Sequence, residues 1–187
     1  MATGGLDRRI RLIVGDAPYE IVWKSVYRFH SRVADRMRVG KVLLAGDMAH
    51  FVSPFGGRGL NSGIGDAENA AWKLAFVLHG WADENLLESY DAERRASALE
   101  NIAVISETMD FLVPQTPEQK EIRTRCLEQA LTDPEARNSI NSGRLFEPFW
   151  YSDSPLTSPN PGRPFAGRPA RGQWPTPGPA SSCPTRQ

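Results

Sequence analysis

The sequence lacks several features that would have placed it in a specialised class of protein. Among its 187 residues are only two cysteines, Cys126 and Cys183, with no CxxC pair. This argues against a disulfide framework or a zinc site and favours a reducing compartment. Its 22 basic and 22 acidic residues leave no formal net charge, so we expect neither nucleic acid nor an anionic membrane surface as a partner.

Long apolar runs are also missing. No run reaches membrane-spanning length, and the start "MATGGLDRRIRL" lacks the apolar core of a signal peptide. With 40% hydrophobic and 24% charged residues, the composition is that of an ordinary globular protein. The sequence therefore predicts a cytoplasmic protein with no membrane partner.

The pattern of apolar residues predicts an α/β chain with few strands. Between residues 10 and 40, "YEIVWKSVYRFHSRVA" is rich in β-branched and aromatic residues and predicts one or two half-buried strands. The short run "KVLLAGD" is typical of a strand buried on both faces of a parallel sheet. Apolar spacings of three and four predict helices over residues 61–79 and 85–112. A third helix is predicted over residues 117–131, with a short helix after Pro134.

The same spacings predict which helix faces are buried. In the first helix the apolar stripe comprises Ile64, Ala67, Ala71, Leu74, Ala75 and Leu78. In the second helix the stripe comprises Tyr90, Leu99, Ile102, Ile105, Met109 and Leu112, and "DAERRASALE" forms the solvated face.

One stretch carries a candidate binding site, "AGDMAHFVSPFGGRGLNSGIGDAENAAWKLA" over residues 45–75. Glycines stand directly before a helix, whose first turn has unpaired N–H groups and a partial positive charge. Such bare backbone would let a flat or phosphorylated ligand approach closely, with Asp47 accepting hydrogen bonds from ligand hydroxyls. From these residues alone, a plain strand-to-helix turn with Asp47 as a local cap is an equally good interpretation.

The whole string, followed by "LLESYDAERR" and later by "SGRLFEPFWY", resembles the FAD-dependent monooxygenases of the aromatic-hydroxylase type. These single-component flavoproteins include phenol hydroxylase and hydroxyphenylpropionate hydroxylase. The resemblance covers roughly residues 20–175 and implies a partial FAD-binding fold of the glutathione-reductase-like type, with a few strands, long helices and an extended proline-rich arm. It also implies hydroxylation of a small aromatic substrate with FAD as cofactor, O2, and NAD(P)H as co-substrate.

The resemblance further implies which residues contact the flavin. Gly46 and Asp47 match a pair whose aspartate contacts the ribityl chain, and Pro54 matches a proline beside the isoalloxazine ring. Residues of the following loop, whose backbone amides face the pyrimidine edge of the flavin, are matched by Gly57, Gly59, Leu60 and Asn61. No catalytic side chain and no metal ligand is predicted. His50 is predicted to be a packed or exposed histidine rather than a flavin contact, and Asp66 to serve the helix dipole and local capping.

The resemblance divides the chain into three parts. Residues 1–40 correspond to the end of a substrate-domain sheet, residues 41–151 to the C-terminal part of the FAD-binding domain, and residues 152–187 to a proline-rich arm that is extended or disordered. This arm holds nine of the fifteen prolines. Residues from about 180 onward are interpreted as a frameshifted tail.

The GxGxxG string that binds the ADP part of FAD in this family does not occur in the sequence. The chain is therefore expected to be a C-terminal fragment of a hydroxylase, and uncovered apolar surface is expected to favour self-association. Two alternatives stay open, a non-catalytic remnant and a flavin monooxygenase or epoxidase acting on a polyketide-like aromatic compound.

Overall fold

The computed structural model describes residues 4–140 and 149–158, except for the side chains of residues 138 and 139. In chain order its helices are α1 (Gly4–Val14), α2 (Arg58–Leu78), α3 (Glu88–Leu112), α4 (Pro117–Gln129) and α5 (Pro134–Ile140). Its strands are β1 (Arg32–Val33), β2 (Arg38–Val39), β3 (Val42–Leu43) and β4 (His50–Phe51). Short 3-10 turns cover Gly46–Met48 and Glu84–Leu87. Helices α2 and α3 pack against each other and form the centre of the described structure.

The predicted helices from residue 58 onward are confirmed, with small shifts at their ends. Helix α2 begins three residues earlier than predicted, and its chain reverses at Gly80, whose φ of +69° suits glycine. The predicted helix 85–112 is divided into the 3-10 turn Glu84–Leu87 and α3. Helix α4 starts with Pro117 behind a capping box in which Thr116 and Gln119 satisfy each other's backbone N–H groups.

The prediction of strands between residues 10 and 40 is largely wrong. Residues 4–14 form α1, in which Leu6, Ile10 and Ile13 recur at helical spacing. Residues 18–31 have no regular structure, and β1 and β2 are the only strands that the structure shows between residues 10 and 40. A strand requires a hydrogen-bonded neighbour, and the described residues offer none to this alternating segment.

The prediction that "KVLLAGD" is a buried parallel strand is also wrong. Strand β3 pairs antiparallel with β2, Arg38 facing Leu43 and Val39 facing Val42. The reversal occurs at Gly40, whose φ of +57° fits a tight hairpin turn. The second ladder, between β1 and β4, is antiparallel too. Asp47 consequently lies in a 3-10 turn rather than at the end of a parallel strand.

The predicted burial of α2 and α3 is reversed in large part. On α2 the buried residues are all polar, namely Arg58, Ser62, Asp66, Asn69 and Lys73, whereas the predicted stripe residues Ile64 and Leu78 are exposed. On α3 the stretch predicted to be solvated contains the buried residues Glu93, Arg94, Ser97 and Ala98. The two helices therefore face each other through complementary polar side chains, with Tyr90 and Ile105 as the buried members of the predicted α3 stripe.

A small apolar core lies beside this polar contact. It consists of Met37, Ala49 and Tyr90, with Leu43, Leu44 and Ala70 packed around them. The side chain of Tyr90 is fully buried, and its hydroxyl donates to the carbonyl oxygen of Leu44 at 2.6 Å. Tyr90 thereby ties α3 to the end of β3. Among the described residues, no helix combines the length and apolar character needed to cross a bilayer.

Tyr90 gives the fold a dependence on alkaline pH. Burial, with a smaller contribution from the charge of Asp66, raises the pKa of Tyr90 from 10.0 to about 12. Since the folded pKa is the higher one, this stabilisation is complete below pH 10 and is lost as the pH rises toward 12. At 1.36 kcal/mol per pKa unit, we expect a loss of about 2–3 kcal/mol in the free energy of unfolding.

Urea unfolding of the wild type and of Tyr90→Phe between pH 8 and 11.5 measures this loss. The phenylalanine variant should be less stable at pH 8 by about 0.5–1.5 kcal/mol, because the bond to Leu44 is gone. Its stability should then fall less steeply than that of the wild type at higher pH. Parallel pH curves for the two proteins would contradict the assignment.

Candidate functional site

A buried polar network fills the contact between α2 and α3. At one end, Arg58 Nη1 donates to Asn101 Oδ1 at 2.7 Å, and Asn101 Nδ2 reaches Ser62 Oγ at 3.3 Å. At the other end, Lys73 Nζ donates to Glu93 Oε2 at 2.6 Å. Buried polar groups are costly unless they are hydrogen-bonded, so a network of this kind fixes the relative position of the two helices.

Asp66 is the central acceptor of this network, and its side chain is fully buried. Oδ2 accepts a hydrogen bond from the backbone N–H of Gly46 at 2.9 Å and lies 2.5 Å from His50 Nε2. Oδ1 accepts from Arg94 Nε at 2.7 Å. Burial raises the pKa of Asp66, but the hydrogen bonds from His50, Arg94 and Gly46 together outweigh it and lower the pKa below its usual value. An ionised Asp66 can only accept, so His50 Nε2 carries a proton.

Glu93 forms a second buried centre next to Asp66. Besides Lys73, it accepts from Asn69 Nδ2 at 2.7 Å, and Ser154 Oγ donates to its other oxygen. Burial raises the pKa of Glu93, and the hydrogen bonds from Lys73, Ser154 and Asn69 lower it to a net value below the usual one. Burial also lowers the pKa of Lys73, which Glu93 partly restores. Glu93 is therefore held ionised between the helices.

Residues 149–158 lie over this network. Arg94 Nη1 donates to the hydroxyl of Tyr151 at 2.6 Å, and Ser154 bonds Glu93. Residues 152–158, the described part of the predicted arm, therefore contact α3 through the hydrogen bond from Ser154 to Glu93. The remainder of the predicted arm, residues 159–187, and with it the interpreted frameshifted tail, lies outside the described residues.

The Gly46–Met48 turn carries two of the predicted site residues. Gly46 has a φ of +56°, and its carbonyl accepts the N–H of Ala49 at 2.8 Å. A Cβ built on Gly63 would lie 3.6 Å from the Cα of Gly46, so this turn is in van der Waals contact with α2. Asp47, next to Gly46, is exposed. The structure thus presents the Asp47 carboxylate on a turn that is fixed to α2.

The other predicted site residues lie on the loop that enters α2. Pro54 is exposed, and its carbonyl accepts the N–H of Gly57 at 3.1 Å. Gly57 is the N-cap residue of α2 with a φ of +62°. Gly59 is half-buried against Val52, which a Cβ would meet at 3.5 Å, and Leu60 is 77% exposed. Asn61 is exposed, and its Nδ2 donates to the carbonyl of Gly57 at 2.7 Å.

The amino end of α2 is suited to an electron-rich, flat group. The N-cap residue supplies no side-chain hydrogen bond, and the first turn contains no acidic residue that would compete for the positive end of the helix dipole. A Cβ on Gly57 would meet nothing within 4 Å, so the space beside the backbone is open. N–H groups of the first turn, including those of Gly59 and Leu60, have no acceptor within the helix.

Some functional candidates were missed by reasoning from the sequence. Asp66 was predicted to cap the helix locally, which is wrong, because it lies two turns inside α2 and bonds three other elements. Arg94 was assigned to a solvated face. His50, predicted to be either packed or exposed, is buried with 3% of its surface exposed. Within residues 4–140 and 149–158, no cluster of His, Cys, Asp or Glu has the composition of a metal site.

A comparison with protein families finds that residues 6–104 match the model of an FAD binding domain. The 3-(3-hydroxy-phenyl)propionate/3-hydroxycinnamic acid hydroxylase of Mycolicibacterium vanbaalenii is 38% identical over 145 residues, which are 75% of this chain and 25% of that protein. A Streptomyces halstedii protein named as a polyketide hydroxylase is 54% identical over 91 residues, covering 48% of this chain and 16% of that protein.

Two solved structures are similar to this chain in both fold and sequence. The p-nitrophenol 4-monooxygenase PnpA from Pseudomonas putida DLL-E4 is similar with a TM-score of 0.58 and 28% identity, over 78% of this chain and 40% of that one. The rebeccamycin biosynthetic enzyme RebC with reduced flavin has a TM-score of 0.56 and 33% identity, over 78% and 30%. This chain therefore spans about a quarter of the hydroxyphenylpropionate hydroxylase and less than half of either solved protein.

Proposed function

This chain belongs to the family of proteins with an FAD binding domain, and from this membership we propose that the loop of residues 54–57 and the amino end of α2 bind the isoalloxazine ring of FAD. The observation that carries the proposal is the pairing of two features on α2. One is an uncapped amino end beside open glycine backbone, and the other is the exposed Asp47 on the turn held against the same helix.

The residues present fit a flavin. Asp47 would accept hydrogen bonds from hydroxyls of the ribityl chain, and the positive φ of Gly46 shapes the turn that presents it. Pro54 would lie near the ring. The backbone at Gly57, Gly59, Leu60 and Asn61 would face the pyrimidine edge, where a reduced flavin carries negative charge. The helix dipole would stabilise negative charge at that edge through backbone N–H groups, so no charged side chain is needed there.

The proposed activity of the whole protein is hydroxylation of an aromatic compound. FAD, when bound, supplies the redox chemistry that uses NAD(P)H and O2, and the protein binds, orients and shields it from water. A small phenolic substrate follows from the hydroxyphenylpropionate hydroxylase relative. A polyketide-like aromatic substrate is the second candidate, and it is favoured by the 54% identity to the Streptomyces halstedii relative.

Titration of the chain with flavins tests the proposal. The proposed contacts involve the ring and the ribityl chain, so we expect riboflavin and FAD both to bind and AMP to compete with neither. In Asp47→Ala, the dissociation constant of either flavin should rise roughly tenfold, the equivalent of about 1.4 kcal/mol, because a charge-assisted hydrogen bond is lost. Quenching of flavin fluorescence on binding measures the constants.

Asp110→Ala is the matched control, because it removes an exposed carboxylate that belongs to α3 and not to the loop. It should bind flavin as the wild type does. Failure of the wild type to bind any flavin would contradict the proposal and support the remaining alternative, a non-catalytic remnant.

The exposed apolar residues of α2, among them Leu60, Ile64 and Leu78, support the further proposal that the chain self-associates.

A further inference from the structure

We infer that Asp66, braced by Arg94, is the positioning residue of the flavin site, holding the Gly46–Met48 turn against α2 so that Asp47 and the helix end can act on one ligand. This inference rests on the proposed function. Neither residue is proposed to touch the flavin.

The first step is the direct bond between the two parts of the site. Asp66 projects from the third turn of α2 and accepts the backbone N–H of Gly46 at 2.9 Å. Gly46 immediately precedes Asp47, so this bond fixes the backbone on which Asp47 stands. The same oxygen of Asp66 bonds His50, the residue two positions beyond the Gly46–Met48 turn. Both ends of the turn are thus held by one carboxylate.

The second step is the support of Asp66 from the opposite helix. Arg94 reaches from α3 with three nitrogens, donating to Asp66 Oδ1 at 2.7 Å, to the carbonyl of Ser62 at 3.0 Å and to the hydroxyl of Tyr151 at 2.6 Å. Because the guanidinium group is planar, these bonds fix the orientation of the Asp66 carboxylate as well as its charge.

The third step is the space that Arg94 requires. A Cβ built on Gly65 would approach the guanidinium atoms of Arg94 at 3.0–3.2 Å. Any side chain at position 65 would therefore crowd the guanidinium group of Arg94, and glycine leaves room for it. Gly65→Ala offers a way to displace Arg94 while Asp66 itself stays intact.

Three measurements on the full chain test the inference, namely the free energy of unfolding, the riboflavin dissociation constant and hydrogen exchange of the Gly46–Met48 amides. In Asp66→Asn, the amide group cannot accept from Gly46, His50 and Arg94 together. We expect at least a tenfold weaker riboflavin affinity and at least tenfold faster exchange in the turn, measured where the variant is folded. Gly65→Ala should change both quantities in the same direction, by less.

Glu93→Gln is the matched control, because it neutralises the neighbouring buried carboxylate, which does not contact the turn. It should lose stability yet keep the riboflavin constant within twofold and leave exchange in the turn unchanged. A merely structural role of Asp66 would instead make affinity follow stability in all three variants, and this result would overturn the inference. Unchanged hydrogen exchange of the Gly46–Met48 amides in Asp66→Asn would also overturn the inference. If Asp66→Asn does not fold, the same result in Gly65→Ala would overturn it.

The two proposals fail in different ways. If the wild type binds no flavin, the proposed function is wrong, and exchange in the turn still decides whether Asp66 holds it. If the wild type binds flavin but Asp66→Asn binds it equally well, the flavin site stands and the positioning role is wrong.

Discussion

Replacing Lys73 by methionine should lower the free energy of unfolding by about 3–5 kcal/mol, because it leaves Glu93 buried without its cation. The two side chains are joined at 2.6 Å, with 0% and 6% of their surfaces exposed. Most of the expected loss is the cost of an uncompensated charge in the interior, not the net value of the ion pair. Urea unfolding at pH 7 measures it.

Two further variants make this prediction specific. Lys73→Met combined with Glu93→Leu removes both charges, so we expect it to regain much of the loss, although Asn69 and Ser154 then lack their acceptor. Lys120→Met, at an exposed position, should stay within about 0.5 kcal/mol of the wild type. A loss below about 1 kcal/mol for Lys73→Met would show that the pair is not buried as described.

Acid should unfold the chain through its two buried carboxylates, Asp66 and Glu93. Burial raises the pKa of each, but their hydrogen bonds lower the net values below 3.8 for Asp66 and 4.5 for Glu93, the values expected in the unfolded chain. The stabilisation is therefore fully present above these values and is lost as the pH falls through the lower folded values. Where both groups take up a proton on unfolding, stability falls by up to about 2.7 kcal/mol per pH unit.

Urea unfolding at pH 7, 5, 4 and 3 measures this dependence. Relative to the wild type, Asp66→Asn should be less stable at pH 7 and should lose less on acidification, because one of the two titrating groups is gone. Asp110→Asn, at an exposed position of α3, serves as the control and should leave the slope unchanged. An equal slope in wild type and Asp66→Asn would mean that Asp66 does not titrate as inferred.

The sequence allowed the family and the long helices to be predicted, and both are confirmed. The motif around Gly46 and Asp47 suffices to indicate an FAD-binding domain, and the comparisons agree. Helices α2 and α3 follow from apolar spacings and from the glycine and proline at their ends. The motif, the spacings and the end residues each lie within one short segment of the chain, so they can be read without knowing which segments meet in the fold. The predicted partial α/β fold is confirmed through the likeness to the structures of RebC and PnpA.

The buried faces could not be predicted in the same way. A helical wheel of α2 marks Ile64 and Leu78 as core, yet both are exposed, because the charges that select the buried face lie on α3. One signal was available in the sequence. The polar residues Arg58, Ser62, Asp66, Asn69 and Lys73 recur at intervals of three and four, which places charges of both signs on one helix face.

The strands were mispredicted because pairing is not local. The segment from residue 18 to 31 alternates like a strand but has no hydrogen-bonded neighbour in the described part of the chain. The run around Val42 is apolar like a parallel strand, yet the turn at Gly40 folds it back on Arg38 and Val39. Turn geometry outweighed composition in that case.

The central claim is that the Gly46–Met48 turn and the amino end of α2 together bind one flavin, the turn at its ribityl chain and the helix end at its ring. Hydrogen exchange followed by mass spectrometry, with and without saturating riboflavin, tests it most directly. We predict that riboflavin slows exchange in two segments, residues 46–48 and 57–61, and leaves α4 unchanged. Riboflavin that binds while exchange slows only outside these two segments would contradict the account.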